Sequence, residues 1–259
     1  MAHKTLISGT AYEITSGKAR ISGTGYSIKS GKTLIGGTGY TIPIDEGILA
    51  SDIAVGTSVY LKENGNLVEY IVVHQGNPST TKYDASCNGT WLMRKDLHGL
   101  SPFYSDGDAQ YIYGELCNYC ENTIYASFDS STKSVINQVK IPYQHSKTKY
   151  YDLANGYSCH AFALGAFEVG FTRSDDTIGY DGAILQYFSG AKNAKRIAYL
   201  NGTATAWWLR TRDTSSSVAF YVTKSGSLYN DNAAATLGVR CGLVLSSSAV
   251  FNEKTMCLV

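Results

Sequence analysis

A unit of 14 residues recurs three times within the first 44 positions, and it restricts that segment to short paired strands. The stretch Ile7–Ile14 (ISGTAYEI) returns as Ile21–Ile28 (ISGTGYSI) and as Ile35–Ile42 (IGGTGYTI), with a Ser-Gly-Lys spacer at 16–18 and 30–32. In each copy Tyr and Ile stand two apart (Tyr12/Ile14, Tyr26/Ile28, Tyr40/Ile42). That spacing puts both on one face of a strand. The Gly-rich dipeptides supply turns, so each unit reads as two short strands with a turn of its own. One such unit is too small to cover its own apolar face. The repeat must therefore stack on itself, on the following domain or on copies from other chains.

Pro43 to Ser51 (PIDEGILAS) breaks the repeat and marks a boundary. Beyond it, Ser58–Leu61 and Leu67–His74 read as strands around Asn64-Gly65, a hairpin signal. Trp91–Leu97 reads as a further strand. Ala109–Tyr125 carries Ile112, Leu116, Tyr119 and Tyr113, Cys117, Cys120 at helical spacing. A second helix is expected after Asp129, with Val135, Ile136 and Val139 on it and Pro142 as its stop. These elements give an α+β expectation.

Twenty tyrosines against eight phenylalanines, with 26 glycines and 4 prolines, favour a β-rich, turn-rich protein with many amphipathic aromatics. A formal net charge of +1 provides no field for nucleic acid. No apolar run is long enough for a transmembrane helix, and MAHKTLISG lacks the apolar core of a signal peptide. Six cysteines are too few to staple a chain of 259 residues. Cys117 and Cys120 have C-x-x-C spacing, but no second ligand pair accompanies them, so free thiols are expected. The five histidines are scattered, and no P-loop, Gly-x-Ser-x-Gly or dinucleotide fingerprint occurs. Asp175, Asp176 and Asp181 read as solvated loop carboxylates. No metal site and no cofactor is expected, and the chain reads as a non-enzyme.

The segment Trp207–Leu245 (WWLRTRDTSSSVAFYVTKSGSLYNDNAAATLGVRCGLVL) has apolar ends and a polar, Tyr- and Ser-rich middle. Its ends supply framework residues: Trp207, Trp208, Arg210, Gly238 and Arg240. An arginine beside a tryptophan can stack on it or pair with a buried carboxylate. The middle supplies Asp213, Ser215, Ser217, Phe220, Tyr221, Thr223, Ser225, Ser227, Tyr229, Asn230, Asp231, Asn232 and Ala235. Tyr gives contact area at low entropic cost, and Ser and Asn give adaptable hydrogen bonds.

The order of WWLR, an aromatic-x-V strand, a polar run and GVR resembles the C-type-lectin-like domains of Firmicutes and gut-phage proteins. Many of those look like the variable proteins of diversity-generating retroelements. SVYLKENGNLVEYIVVHQGNP, YDASCNGTWLMRKDL, VINQVKIPY and KRIAYLNGTATAWWLR agree with it, so the likeness spans roughly Asp52 to Leu245. Two positions depart from it: Arg212 and Cys241 stand where relatives carry prolines. The N-terminal GKTLIGGTGY repeats are similar to those of phage structural proteins.

The resemblance implies an attachment or oligomerisation arm over 1–44 and a C-type-lectin-like ligand-binding domain over 45–259, with a variable segment near 207–245. The implied function is a phage or prophage receptor-binding protein, in the virion or at the cell surface. Its implied partners are a protein or glycan on a bacterial cell and other virion proteins, with no nucleic acid and no membrane span. A homo-oligomer is expected, a trimer being one such assembly. The polar set is what adenine-directed mutagenesis makes from Asn codons. The alternatives are a structural virion decoration protein and, on the likeness of folds, a formylglycine-generating-type enzyme, although Cys159-His160 and Cys241 are not at spacings that show such a site.

Overall fold

The computed structural model describes residues 47–106, 110–146, 149–172, 181–213, 215 and 217–259, together with the backbone of six strands between His3 and Ile42. Those six pair consecutively and antiparallel: His3–Ile7 with Thr10–Ile14, Lys18–Ile21 with Thr24–Ser27, and Gly31–Ile35 with Thr38–Ile42. Each copy of the repeat thus closes one hairpin. The expected Tyr/Ile face concerns side chains outside the described residues.

Ten strands build two five-stranded sheets in the rest of the chain. They are β1 (Ser58–Glu63), β2 (Asn66–Gly76), β3 (Gly89–Arg94), β4 (Gly99–Pro102) and β5 (Ala161–Ala163), followed by β6 (Trp207–Arg212), β7 (Val218–Val222), β8 (Leu228–Asn232), β9 (Thr236–Val239) and β10 (Cys241–Leu245). The first sheet runs β5-β10-β3-β2-β1 and is antiparallel throughout. The second runs β4-β9-β6-β7-β8, with β6 and β9 parallel at Trp207 and Gly238.

The β1–β2 turn forms because Asn64 (φ 48°) and Gly65 (φ 81°) both take the left-handed region, the conformation that a two-residue hairpin needs. The chain passes between the sheets four times: after Arg94, between β4 and β5, between β5 and β6, and at Arg240. Gly238 sits where a Cβ would lie 2.9 Å from the Ala206 carbonyl, so only glycine lets β9 approach β6 this closely. Trp91, Trp207, Trp208, Phe103 and Phe162 are fully buried in one core that draws on both sheets.

The α+β expectation is wrong. Strands take 41% of the chain and helical segments 18%, so the protein is mostly β. The predicted helix over Ala109–Tyr125 shortens to an α-helical turn, Glu115–Tyr119, that continues as a π-helical stretch, Cys120–Tyr125. Gly114 is extended (φ −82°, ψ 161°) and separates it from the 3-10 turn Tyr111–Tyr113; Ala109 lies outside the described residues. The second predicted helix stops after Ser130–Lys133. Its Asp129 cap is present, accepting a hydrogen bond from Thr132 N–H at 2.8 Å. Beyond Lys133, the Ile136 bridge to Leu245 and the bond from Asn137 N–H to the Val244 carbonyl draw the chain onto the β10 edge. Pairing with the sheet outweighs the helical spacing of Val135, Ile136 and Val139.

Candidate ligand-recognition site

The framework residues at both ends of the 207–245 segment are interior. Trp207, Trp208, Arg210, Gly238 and Arg240 are all buried. Trp207 Nε1 donates to the Arg196 carbonyl and Trp208 Nε1 to the Ser101 carbonyl. Arg240 lies over the Trp207 ring, 5.1 Å from its centroid, and donates to the carbonyls of Arg94 and Lys95. It thereby ties together two of the places where the chain changes sheets, after Arg94 and at Arg240 itself. Burial holds its guanidinium down to about 10.

Arg210 anchors a buried polar cluster. Its Nη1 and Nη2 donate to Glu168 Oε2 and Oε1, and its Nε donates to the Pro142 carbonyl. Burial works against its charge, but Glu168 outweighs that and raises the group. Tyr83 donates to Glu168 Oε1 at 2.6 Å, and Thr211 donates to Asp181 Oδ2. Asp181 is therefore not the solvated loop carboxylate expected; it is 2% exposed, and its Oδ1 has no partner. Asp175 and Asp176 lie outside the described residues.

The polar middle of the segment divides by position. β8 is the outermost strand of its sheet, and there Tyr229 is 63% exposed, with Asp231 and Asn232 exposed and Asn230 half-buried. Ser215 and Ser225 are exposed, while Asp213, Ser217, Thr223, Ser227 and Ala235 are half-buried. Tyr221 pairs with Tyr229 across the ladder and meets both Trp208 and Tyr229 edge-on, at 5.9 and 6.0 Å between centroids. Phe220 departs from the surface role expected of it: it is 1% exposed, because β7 lies inside the sheet and turns this ring into the core.

A cavity of about 460 Å³ opens beside the β8 edge. Phe220, Ser227, Tyr229 and Asn230 line one side, and Phe171, Thr172 and Asn193 the other. Asn193 Nδ2 donates to Ser227 Oγ at 3.0 Å, linking the two walls. Arg196 stacks over Phe171, 4.2 Å from its centroid, and fixes that ring from behind. The sequence reading missed this second wall, since nothing in the local pattern of Phe171 or Asn193 marks them as neighbours of Tyr229.

Five cysteines are buried and all six are free. Burial pushes the Cys117 thiol up to about 11 and those of Cys87 and Cys241 up to about 12, so all three stay protonated at neutral pH. Among the described residues no three His, Cys, Asp or Glu gather to hold a metal ion. No described helix is long and apolar enough to cross a membrane.

Residues 88–247, more than half of the chain, match the family described as Domain of unknown function (DUF6273). The chain belongs to the DUF6273 family. No curated protein and no solved structure matches it. The DUF6273 stretch begins at the threshold of β3 and ends just after β10, so it takes in all of the second sheet, both arginine anchors and the cavity. The β1–β2 hairpin, which completes the first sheet, precedes it.

Proposed function

We propose that this DUF6273 protein is a non-catalytic recognition protein of phage or prophage type, whose binding face is the β8 edge, the turn before it and the cavity beside them. One observation carries the reading: within a single segment, Trp and Arg side chains are locked into the core, while Tyr, Asn and Asp side chains stand on an outer strand. Such a division lets exposed residues change without disturbing the fold, which a diversified surface requires. The resemblance to retroelement variable proteins adds to it, and the protonated thiols of Cys87, Cys117 and Cys241 speak against cysteine chemistry. The N-terminal hairpins serve as the attachment or oligomerisation arm.

The test exchanges Ser225, Tyr229, Asn230 and Asp231 as a block and measures binding of the purified chain to a panel of intact bacterial cells. A changed cell preference with an unchanged fold is the expected result. An unchanged preference rejects the reading. Sequencing the flanking DNA adds an independent check: a near-copy of codons 207–245 beside a reverse-transcriptase gene is expected.

A further inference from the structure

We infer that the cavity beside Tyr229 binds one ring of a neutral saccharide rather than an extended peptide. The inference rests on the recognition reading above and specifies the ligand of the same site. It follows from how much of the β8 edge is open and from what surrounds the opening.

Antiparallel ladders alternate between residue pairs that exchange backbone hydrogen bonds and pairs that do not. Thr223 N–H donates to the Ser227 carbonyl, and Ala233 N–H to that of Ser217. Those bonds set the alternation, so Tyr229 and Asp231 turn their backbone groups toward β7. Leu228, Asn230 and Asn232 turn theirs away from the sheet. Asn232 is already engaged: its N–H donates to Asp231 Oδ1, and its carbonyl accepts from Ala235 N–H. The other end of the edge is closed by the Thr223–Ser227 turn. There a Cβ on Gly226 would lie 2.1 Å from the Asn193 carbonyl.

Only Leu228 and Asn230 keep outward backbone groups open to a ligand. Two residues of strand span about 7 Å. A peptide added to a sheet edge draws its affinity from a run of main-chain bonds, and this opening is too short for one. It matches the width of a single sugar ring.

The chemistry of the walls agrees. Phe171 offers aromatic surface for the C–H face of a pyranose, while Thr172, Ser227 and Asn230 Oδ1 offer uncharged hydrogen-bonding groups for its hydroxyls. Asn230 Nδ2 already donates to Asp213 Oδ2, and the Tyr229 ring packs on Tyr221 on the opposite face of the sheet. No charged side chain lines the cavity among the described residues, which selects against an anionic or cationic ligand. The volume lies within the range of small-ligand sites.

The experiment is saturation-transfer NMR on the full chain with the methyl glycosides of glucose, galactose, mannose and N-acetylglucosamine, and with glucuronate and a hexa-alanine peptide for comparison. Phe171→Ala removes the aromatic wall. Asn230→Pro removes an outward N–H that the β7 ladder does not use, a position where an edge strand tolerates proline. At least one neutral glycoside should bind, and both variants should weaken it about tenfold or more. Tyr113→Ala, an exposed tyrosine outside the cavity, should leave binding unchanged. The inference falls if no neutral glycoside binds, if binding survives either cavity variant, if Tyr113→Ala weakens binding as much as they do, or if glucuronate or the peptide binds better. Cell binding that depends on Tyr229 while every neutral glycoside fails would overturn this inference alone and leave the recognition reading standing.

Discussion

The guanidinium of Arg210 and the carboxylate of Glu168 meet at two points, 2.6 Å apart on each side, with neither side chain exposed. β6 carries the arginine, and the loop after β5 carries the glutamate. Tyr83 and the Gly165 N–H supply further hydrogen bonds to the carboxylate, so its oxygens are well satisfied. The strand that begins the 207–245 segment is thus fixed from the inside, away from the surface proposed to vary.

Removing one member of this pair leaves the other buried without a counter-charge. Glu168→Gln should therefore destabilise the protein by about 3–5 kcal/mol. Urea unfolding measures it directly. A loss of less than about 1 kcal/mol would mean that Arg210 finds another partner and that the pair is not the anchor described here.

Asp181 should make stability fall as the pH rises through the mildly acidic range. Burial, only partly offset by Arg210 and Thr211, raises its carboxyl from 3.8 to about 6. Between those values the folded chain holds a proton that the unfolded chain has released. Stability is then lost as pH rises from about 4 to about 6, by a few kcal/mol. Asp181→Asn, which keeps the shape and cannot ionise, should flatten that slope in melting curves taken from pH 4 to 7. A slope that persists in the variant would assign the effect to another group.

Thiol reactivity should separate one cysteine from five. Cys257 is half-buried near the C-terminus, whereas the other five are enclosed. In the native protein a thiol reagent should label Cys257 first, and all six cysteines should react only after unfolding. Zinc bound in stoichiometric amount would contradict the reading of Cys117 and Cys120 as plain thiols.

How much of this was legible in the sequence depends on whether the governing contact is local. The repeat hairpins and the Asn64-Gly65 turn were legible because their pairing partners lie a few residues away. The buried ends of the 207–245 segment were legible because their Trp and Arg residues are unlike the middle. Helix content was overestimated, since the spacing of Val135, Ile136 and Val139 says nothing of the β10 edge waiting more than a hundred residues later. Phe220 falls within the polar middle of the segment and so reads as a surface residue, yet its ring packs in the core. Asp181 was placed in solvent because Gly and Ser flank it, yet it packs against Thr211 and Arg210. In each miss the deciding partner comes from a distant element.

The N-terminal hairpins, proposed as an attachment arm, make a separate prediction. Short Gly-rich hairpins need a neighbouring surface to be stable. Deleting residues 1–44 should lower the mass of the protein in solution, or abolish its incorporation into particles, and leave the two-sheet body folded. Unchanged mass together with unchanged incorporation would remove the attachment role.

The contrast between Trp208 and Tyr229 tests the division between frame and surface. Trp208 has no exposed area, donates to the Ser101 carbonyl and packs edge-on to Phe103 at 5.8 Å. Trp208→Ala should cost about 3–5 kcal/mol through the void left in the core. Tyr229 touches the body chiefly through Tyr221, so Tyr229→Ala should change stability by about 0.5 kcal/mol or less. Tyr221 lies between them, half-buried against Trp208, and Tyr221→Ala should cost an intermediate amount, about 1 kcal/mol. A combined Tyr221→Ala and Tyr229→Ala protein should then unfold at slightly lower urea than the parent, yet bind cells far more weakly, because aromatic anchors dominate the energy of most interfaces. If Tyr229→Ala alone destabilised the protein as much as Trp208→Ala, the β8 edge would be part of the frame, and the proposed binding face would have to lie elsewhere.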